Sequence, residues 1–317
     1  MMASPRKGVV ISPDDLEGVD WCEKMKQLGL NTLGIHSGEG PGVNCLQRLK
    51  STIQVDFQEN LRNGGIDYEY ELHTGSSLLP RALFAKHPEF FTFNADQNRR
   101  IADANWCPSS IDAMRIVAEN AKHMAGKLDP STHRFFFWGD DAAGWCHCEQ
   151  CRRLNDADQE LMVSNHIAAA LREVDPCAQV AFLAFEKSLK VPHEIKPADN
   201  VFLEFAPMRR CYLHSIDDAS CAVNREHFNV LLDLLEYFPA ERVHVLEYWL
   251  DSSLYSNYRK PAQKPRFIRD IVSRDIRAYY QLGIRSITSF AVFMDGEYFK
   301  QHGEKELEFY AEQLGSM

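Results

Sequence analysis

The chain has 317 residues, 45% of them hydrophobic and 25% charged, which suffices for a large core and lies far from the composition of disordered chains. A formal net charge of −10 argues against nucleic acid as a partner, because affinity for a phosphate backbone rests on clustered Lys and Arg. The opening text MMASPRKGVVIS has no apolar stretch before a small-residue cleavage site, and no later run reaches the roughly 18 apolar residues of a span, so the chain reads as cytoplasmic with no membrane partner.

Short apolar runs rich in Val, Ile and Phe recur along the chain, each followed by a helical pattern. The first run, 8–12, leads into a helix over 19–28 in which Trp21, Met25 and Leu28 repeat at helical spacing and Gly29 ends the helix. Residues 31–36 form strand two and 66–73 strand three. A long loop-like, aromatic excursion follows from Gly75 to Trp106, and a helix over 110–128 closes that unit. Strand four is 134–138, its helix 156–174, strand five 179–185 and strand six 201–205. A helix over 225–237, strand seven at 243–247, a helix over 265–282 and strand eight at 286–293 complete the series.

Eight strands with intervening helices build either a closed barrel or an open doubly wound sheet. No glycine-rich phosphate fingerprint follows strand one, and nearly every strand ends in Asp, Glu, His or an aromatic residue. The expected fold is a (β/α)8 TIM barrel, a single domain over 1–317, since such a barrel needs about 250 residues. No organic cofactor is expected.

Nine cysteines at uneven spacing are not a disulfide framework. Cys146, Cys148 and Cys151 form a CxCxxC ligand spacing directly after strand four, and three thiolates need a fourth ligand for the tetrahedron of a structural Zn²⁺. Cys107, on the neighbouring loop, is the preferred fourth ligand and His147 the alternative.

Carboxylates collect at the strand ends, as glycosidic cleavage requires. Asp140, Asp141 and Glu247 are the candidate catalytic residues. His36, His73, Trp138, Trp145, Glu186, Arg210, Tyr248, Trp249 and Asp295 are the candidate sugar contacts, the aromatics offering flat faces for pyranose rings. Part of this acidity caps helices instead, Asp14, Asp15 and Asp156 being examples. Two other functions use the same rim: a metal-dependent sugar isomerase or epimerase built on His36, His73, Glu186 and Glu247, and a catalytically silent carbohydrate-binding barrel.

The strings Leu79-Pro80, HPEFF at 87–91, WCPS at 106–109, DAAGWCHCEQC at 141–151, RCYLH at 210–214 and CAVN at 221–224 occur in an order that resembles one bacterial barrel family. That family, long of unknown function, sits among the glycoside hydrolases of glycan-degrading gut bacteria. The resemblance covers about residues 75–260. It implies a hydrolase acting on an amino-sugar-containing glycan, its assigned members resembling endo-β-N-acetylglucosaminidases that use the substrate acetamido group. It places the family aspartate on Asp141, its neighbour on Asp140 and an acidic-aromatic pair on Glu247-Tyr248. Relatives usually carry Asn where Asp140 stands, and often a further N-terminal domain and a secretion signal, which this text lacks.

Overall fold

A computed structural model describes residues 5–37, 44–141 and 143–316. Eight parallel strands close a barrel: β1 (Arg6–Ile11), β2 (Thr32–His36), β3 (Asp67–His73), β4 (Arg134–Trp138), β5 (Gln179–Ala184), β6 (Val201–Phe205), β7 (Val243–Glu247) and β8 (Ser286–Phe290). Each strand neighbours the next in sequence, and β1 meets β8. The predicted eightfold barrel is the observed one. The chain divides into two compact units, one of Met1–His36, Gln54–Glu69 and Glu204–Met317, the other of Ser37–Ile53 and Tyr70–Leu203.

In the first unit β1 lies between β8, with Arg6 opposite Ser286 and Val10 opposite Phe290, and β2, with Gly8 opposite Thr32. Val9, Val10, Ile11, Leu33, Ile35 and Ile287 are fully buried, as expected of parallel strands covered on both faces. Helix α1 (Trp21–Leu28) is capped by Asp20, which accepts the Glu23 N–H, and ends at Gly29, whose φ of +67° a side chain tolerates poorly. Trp21 and Met25 face the core. Helix α2 (Val55–Asn63), which the sequence reading passed over, precedes β3.

Three boundaries move. The predicted strand 286–293 stops at Phe290, and beyond it Phe293 takes a left-handed φ of +71° and gives its N–H to Asp15 Oδ1. The helix predicted over 265–282 begins only at Arg269, after a lead in which the Phe267 N–H turns back onto Pro265 O. The helix predicted over 225–237 runs over Ala222–Leu234, a turn earlier.

In the second unit β4 reads RFFFW and is buried at every position. Burying each Phe is worth about 1.5–3 kcal/mol. It pairs with β3, His73 opposite Trp138, and with β5, Arg134 opposite Gln179. Helix α4 (Asp156–Arg172) packs against β5 and against helix α3 (Ile111–Leu128). The α3 cap is Ser110. Asn155, not Asp156, caps α4, in a capping box with Asp158. The excursion after β3 is ordered rather than open: a helical turn at Gly75–Leu78, 3-10 turns at Arg81–Ala85 and Pro88–Phe90, and a hairpin of Phe93–Asn94 with Arg99–Arg100.

Candidate functional site

A narrow cleft opens beyond the C-terminal end of β4, at the face where barrel enzymes build their sites. His73, Asn105, Asp140, Asp141, Trp145, Glu160, Glu186 and Lys187 are among the residues that line it. It offers about 30 Å³ to the centres of water-sized molecules, room for water rather than for a sugar ring. Of the predicted residues, the structure brings His73, Trp145, Asp140, Asp141 and Glu186 together here.

Asp140 is buried and held on every side. Arg81 pairs with its Oδ2, and its own N–H goes to Asn105 Oδ1 at 2.7 Å. The peptide N–H of Gly75 also faces its carboxylate, and a Cβ on residue 75 would stand 2.0 Å from Oδ1, so only glycine allows this approach. Burial pushes the Asp140 carboxyl up, while the Arg81 charge and hydrogen bond pull it back. Asp141, the next residue, is exposed at the mouth. Glu186 takes a left-handed φ of +42°, a strain more often met at functional positions.

Glu160, in the first turns of α4, was not anticipated. It is 5% exposed, and burial pushes its carboxyl up to about 8, against the pull of the Gly139 N–H. Among the described residues no basic side chain pairs with it, so burial favours its neutral form. His73 is the complement: burial pushes it down to about 4, and its Nδ1 lies 2.7 Å from Gly139 O, so the neutral ring donates there. No signal in the sequence pointed to Glu160, because Ala157 to Leu161 reads ADQEL, yet the structure buries every residue of that stretch. Asn105 was also missed; it ties the Asp140 N–H to the Ala143 carbonyl at 3.3 Å.

Beside the cleft, the sulfur atoms of Cys107, Cys146, Cys148 and Cys151 lie within 4.8 Å of one another. Cys107 Sγ is 3.8 Å from both Cys148 Sγ and Cys151 Sγ, far beyond a disulfide bond. The Phe93 N–H and Arg100 Nη1 donate to Cys146 Sγ at 3.3 and 3.4 Å, and Ser109 Oγ is 3.0 Å from Cys151 Sγ. Hydrogen bonds with Cys146 and Cys151 hold the Cys107 thiol far below its ordinary value, and the same contacts push those two up. Cys107, the preferred fourth member, is in the cluster; His147 is exposed outside it. Gln159 connects cluster to cleft, its amide bridging the Cys146 N–H and C=O at 3.1 Å each, next to Glu160.

Other predicted residues are engaged in packing or ion pairs. Trp138 is buried with its ring edge-on to His73. In the first unit, Glu247 accepts the Tyr279 hydroxyl at 2.6 Å and pairs with Arg210 at 3.2 Å, while Arg210 also pairs with Asp275. Asp275 further receives Trp249 Nε1 at 3.0 Å and the Ile216 N–H at 2.6 Å. Tyr248 rests on Phe290, as does His36 edge-on, and both Tyr248 and Trp249 are buried, so their faces are closed to a sugar as they stand. Asp295 caps the helix Gly296–His302 through the Tyr298 N–H and pairs with Lys260; burial would raise its carboxyl, but Lys260 holds it low. Asp15 belongs to a capping box with Ser12, and burial pushes it up to about 6. None of His36, His73, Glu186 and Glu247 belongs to a group of three or more ligand atoms within 4.8 Å among the described residues. No described helix is long and apolar enough to cross a membrane.

Residues 43–315 match a family model described as "Domain of unknown function (DUF4838)". A chitinase from Rhizomucor miehei is similar in structure at 12% identity and a TM-score of 0.52, over 98% of each chain. A β-galactosidase from Rahnella sp. R3 is similar at 13% identity and a TM-score of 0.54, over 90% of this chain and 50% of that one. A catalytic mutant of a β-galactosidase from G. stearothermophilus is similar at 14% identity and a TM-score of 0.54, over 98% and 56%. The chain thus spans about half the length of the two β-galactosidases. At such identities the likeness carries the barrel fold of these glycoside hydrolases alone. No curated protein matches the chain in sequence.

Proposed function

The chain belongs to the DUF4838 family, and we propose that it is a glycoside hydrolase that cleaves a β-N-acetylglucosaminide-type linkage at the mouth of the β4–α4 cleft. The observation that carries this reading is the buried Glu160 lining one cleft with two aspartates, its carboxyl pushed up by burial. Neighbouring carboxyl groups held in different protonation states are the means by which one site supplies both an acid and an anion at the same pH.

In this reading the proton of Glu160 reaches the glycosidic oxygen through one water in the cleft. As the C–O bond breaks, the acetamido oxygen of the substrate bonds to the anomeric carbon, and Asp141 accepts the acetamido N–H. A water then attacks the anomeric carbon, gives its proton back to Glu160 and releases the acetamido group. Asp140, fixed by Arg81, Gly75 and Asn105, sets the position from which Asp141 projects. Where the resemblance implies Asn, the Asp at this position is matched by that arginine. Glu247 is assigned to holding Arg210 rather than to the chemistry.

The cysteine cluster is read as a structural Zn²⁺ site of Cys107, Cys146, Cys148 and Cys151. Two S···S separations are 3.8 Å, and the edge of a tetrahedron with Zn–S of about 2.3 Å is about 3.8 Å. Four thiolates leave no open position, so the metal's part is to fix the loop between Asp141 and α4.

A screen of chromogenic glycosides and N-glycans against wild type, Asp141→Asn and Glu160→Gln tests the proposal. Turnover of an N-acetylglucosaminide that falls about 10²–10⁴-fold in either variant supports it. Binding without turnover supports the silent barrel, and EDTA-sensitive conversion of a free sugar supports the isomerase.

A further inference from the structure

A second group of metal-ligating side chains lies in the first unit, on the connection from β6 to helix α5 (Ala222–Leu234). Cys211, His214 and Cys221 place two sulfur atoms and a ring nitrogen within 4.8 Å of one another, with Cys211 Sγ 3.3 Å from His214 Nδ1. In a tetrahedral zinc site with Zn–S of about 2.3 Å and Zn–N of about 2.0–2.1 Å, that separation is about 3.6 Å. The present distance is therefore a small adjustment from ligation.

The loop is built to hold this shape. Asn224, fully buried one turn into α5, accepts the Cys211 N–H at 2.7 Å and donates to the carbonyls of Cys211, His214 and Ser215 at 2.9, 3.0 and 2.9 Å. Arg210 Nη1 adds a bond to the His214 carbonyl at 3.3 Å. One buried amide thus fixes the backbone of two ligands from the helix whose N-cap is the third, Cys221. Cys211 and Cys221 are half-buried and His214 is exposed, so an ion has a path in from solvent.

We infer that Cys211, His214 and Cys221 form a second site for a zinc-class divalent ion, with three protein ligands and a fourth position open to water or an exchangeable donor. Two thiolates and an imidazole favour zinc over the hard cations, which take oxygen ligands. An open position separates this site in kind from the four-cysteine cluster, and the inference does not depend on the glycosidase reading.

The test is zinc content, measured by elemental analysis on reduced, zinc-reconstituted full-length protein after gel filtration. His214→Ala and Cys211→Ser are expected to hold one zinc equivalent fewer than wild type, with unchanged circular dichroism, whatever the occupancy of the four-cysteine cluster. Equal zinc in folded wild type and variants overturns the site. A measurement on wild type needs no variant: zinc should slow iodoacetamide labelling of Cys211 and Cys221 at least tenfold, and EDTA should restore it. Labelling that is the same with and without zinc, or a Cys211–Cys221 disulfide in protein prepared without air, contradicts the proposal.

Discussion

Two buried carboxylate sites, one in each unit, are held in opposite ways. In the first, Glu247 and Asp275 sit at zero exposure, and arginine, tyrosine, tryptophan and backbone donors meet them. In the second, Glu160 is almost as buried but faces one peptide N–H and a water-sized cleft. A buried charge persists only where it is paired and hydrogen-bonded; otherwise the group keeps its proton. The contrast teaches that burial alone does not mark a reactive group, since the better-partnered carboxylates are the structural ones.

Removing the central cation of the first unit should produce the largest effect. Arg210→Met leaves Glu247 and Asp275 buried without their counter-charge, and a stability loss of about 3–5 kcal/mol is expected in urea unfolding. A loss under about 1 kcal/mol contradicts the view that this pair is a tightly coupled structural element. Next comes the cysteine cluster. Stripping metal with a chelator under reducing conditions should lower Tm by about 5 °C or more, and Cys151→Ser should remove that sensitivity.

Arg81→Ala should cost about 3 kcal/mol by stranding Asp140, and Asp140→Asn in the same background should recover most of it. Without recovery, Asp140 is not held as an anion by Arg81. Smaller still is the pH dependence of stability. Glu160, raised from an ordinary 4.5 to about 8, contributes stability that is complete below 4.5 and lost as pH rises through 8. His73, lowered from 6.5 to about 4, contributes stability present above 6.5 and lost as pH falls through 4. Denaturation across pH should show both arms, and Glu160→Gln should flatten the alkaline one.

This contrast explains what the sequence could and could not reveal. The eight strands were legible because fully buried parallel strands are written as apolar runs, RFFFW at 134–138 most plainly. The four cysteines were legible because ligand spacing is local for three of them and loop order suggested Cys107. Glu247 and Arg210 looked like rim residues because their third partner, Asp275, lies 65 residues from Arg210. Glu160 was hidden for the opposite reason: a Glu in a helix reads as solvent-facing until neighbouring elements bury it. The helix Val55–Asn63 went unread because it carries one buried apolar position, Leu61.

The central claim is that Glu160 holds the catalytic proton. The most direct measurement is the pH dependence of kcat on an N-acetylglucosaminide for wild type and Glu160→Gln. Wild-type activity should fall as pH rises through about 8, and the variant should lose at least about 10²-fold in kcat together with that limb. A variant that keeps both the rate and the alkaline limb contradicts the account.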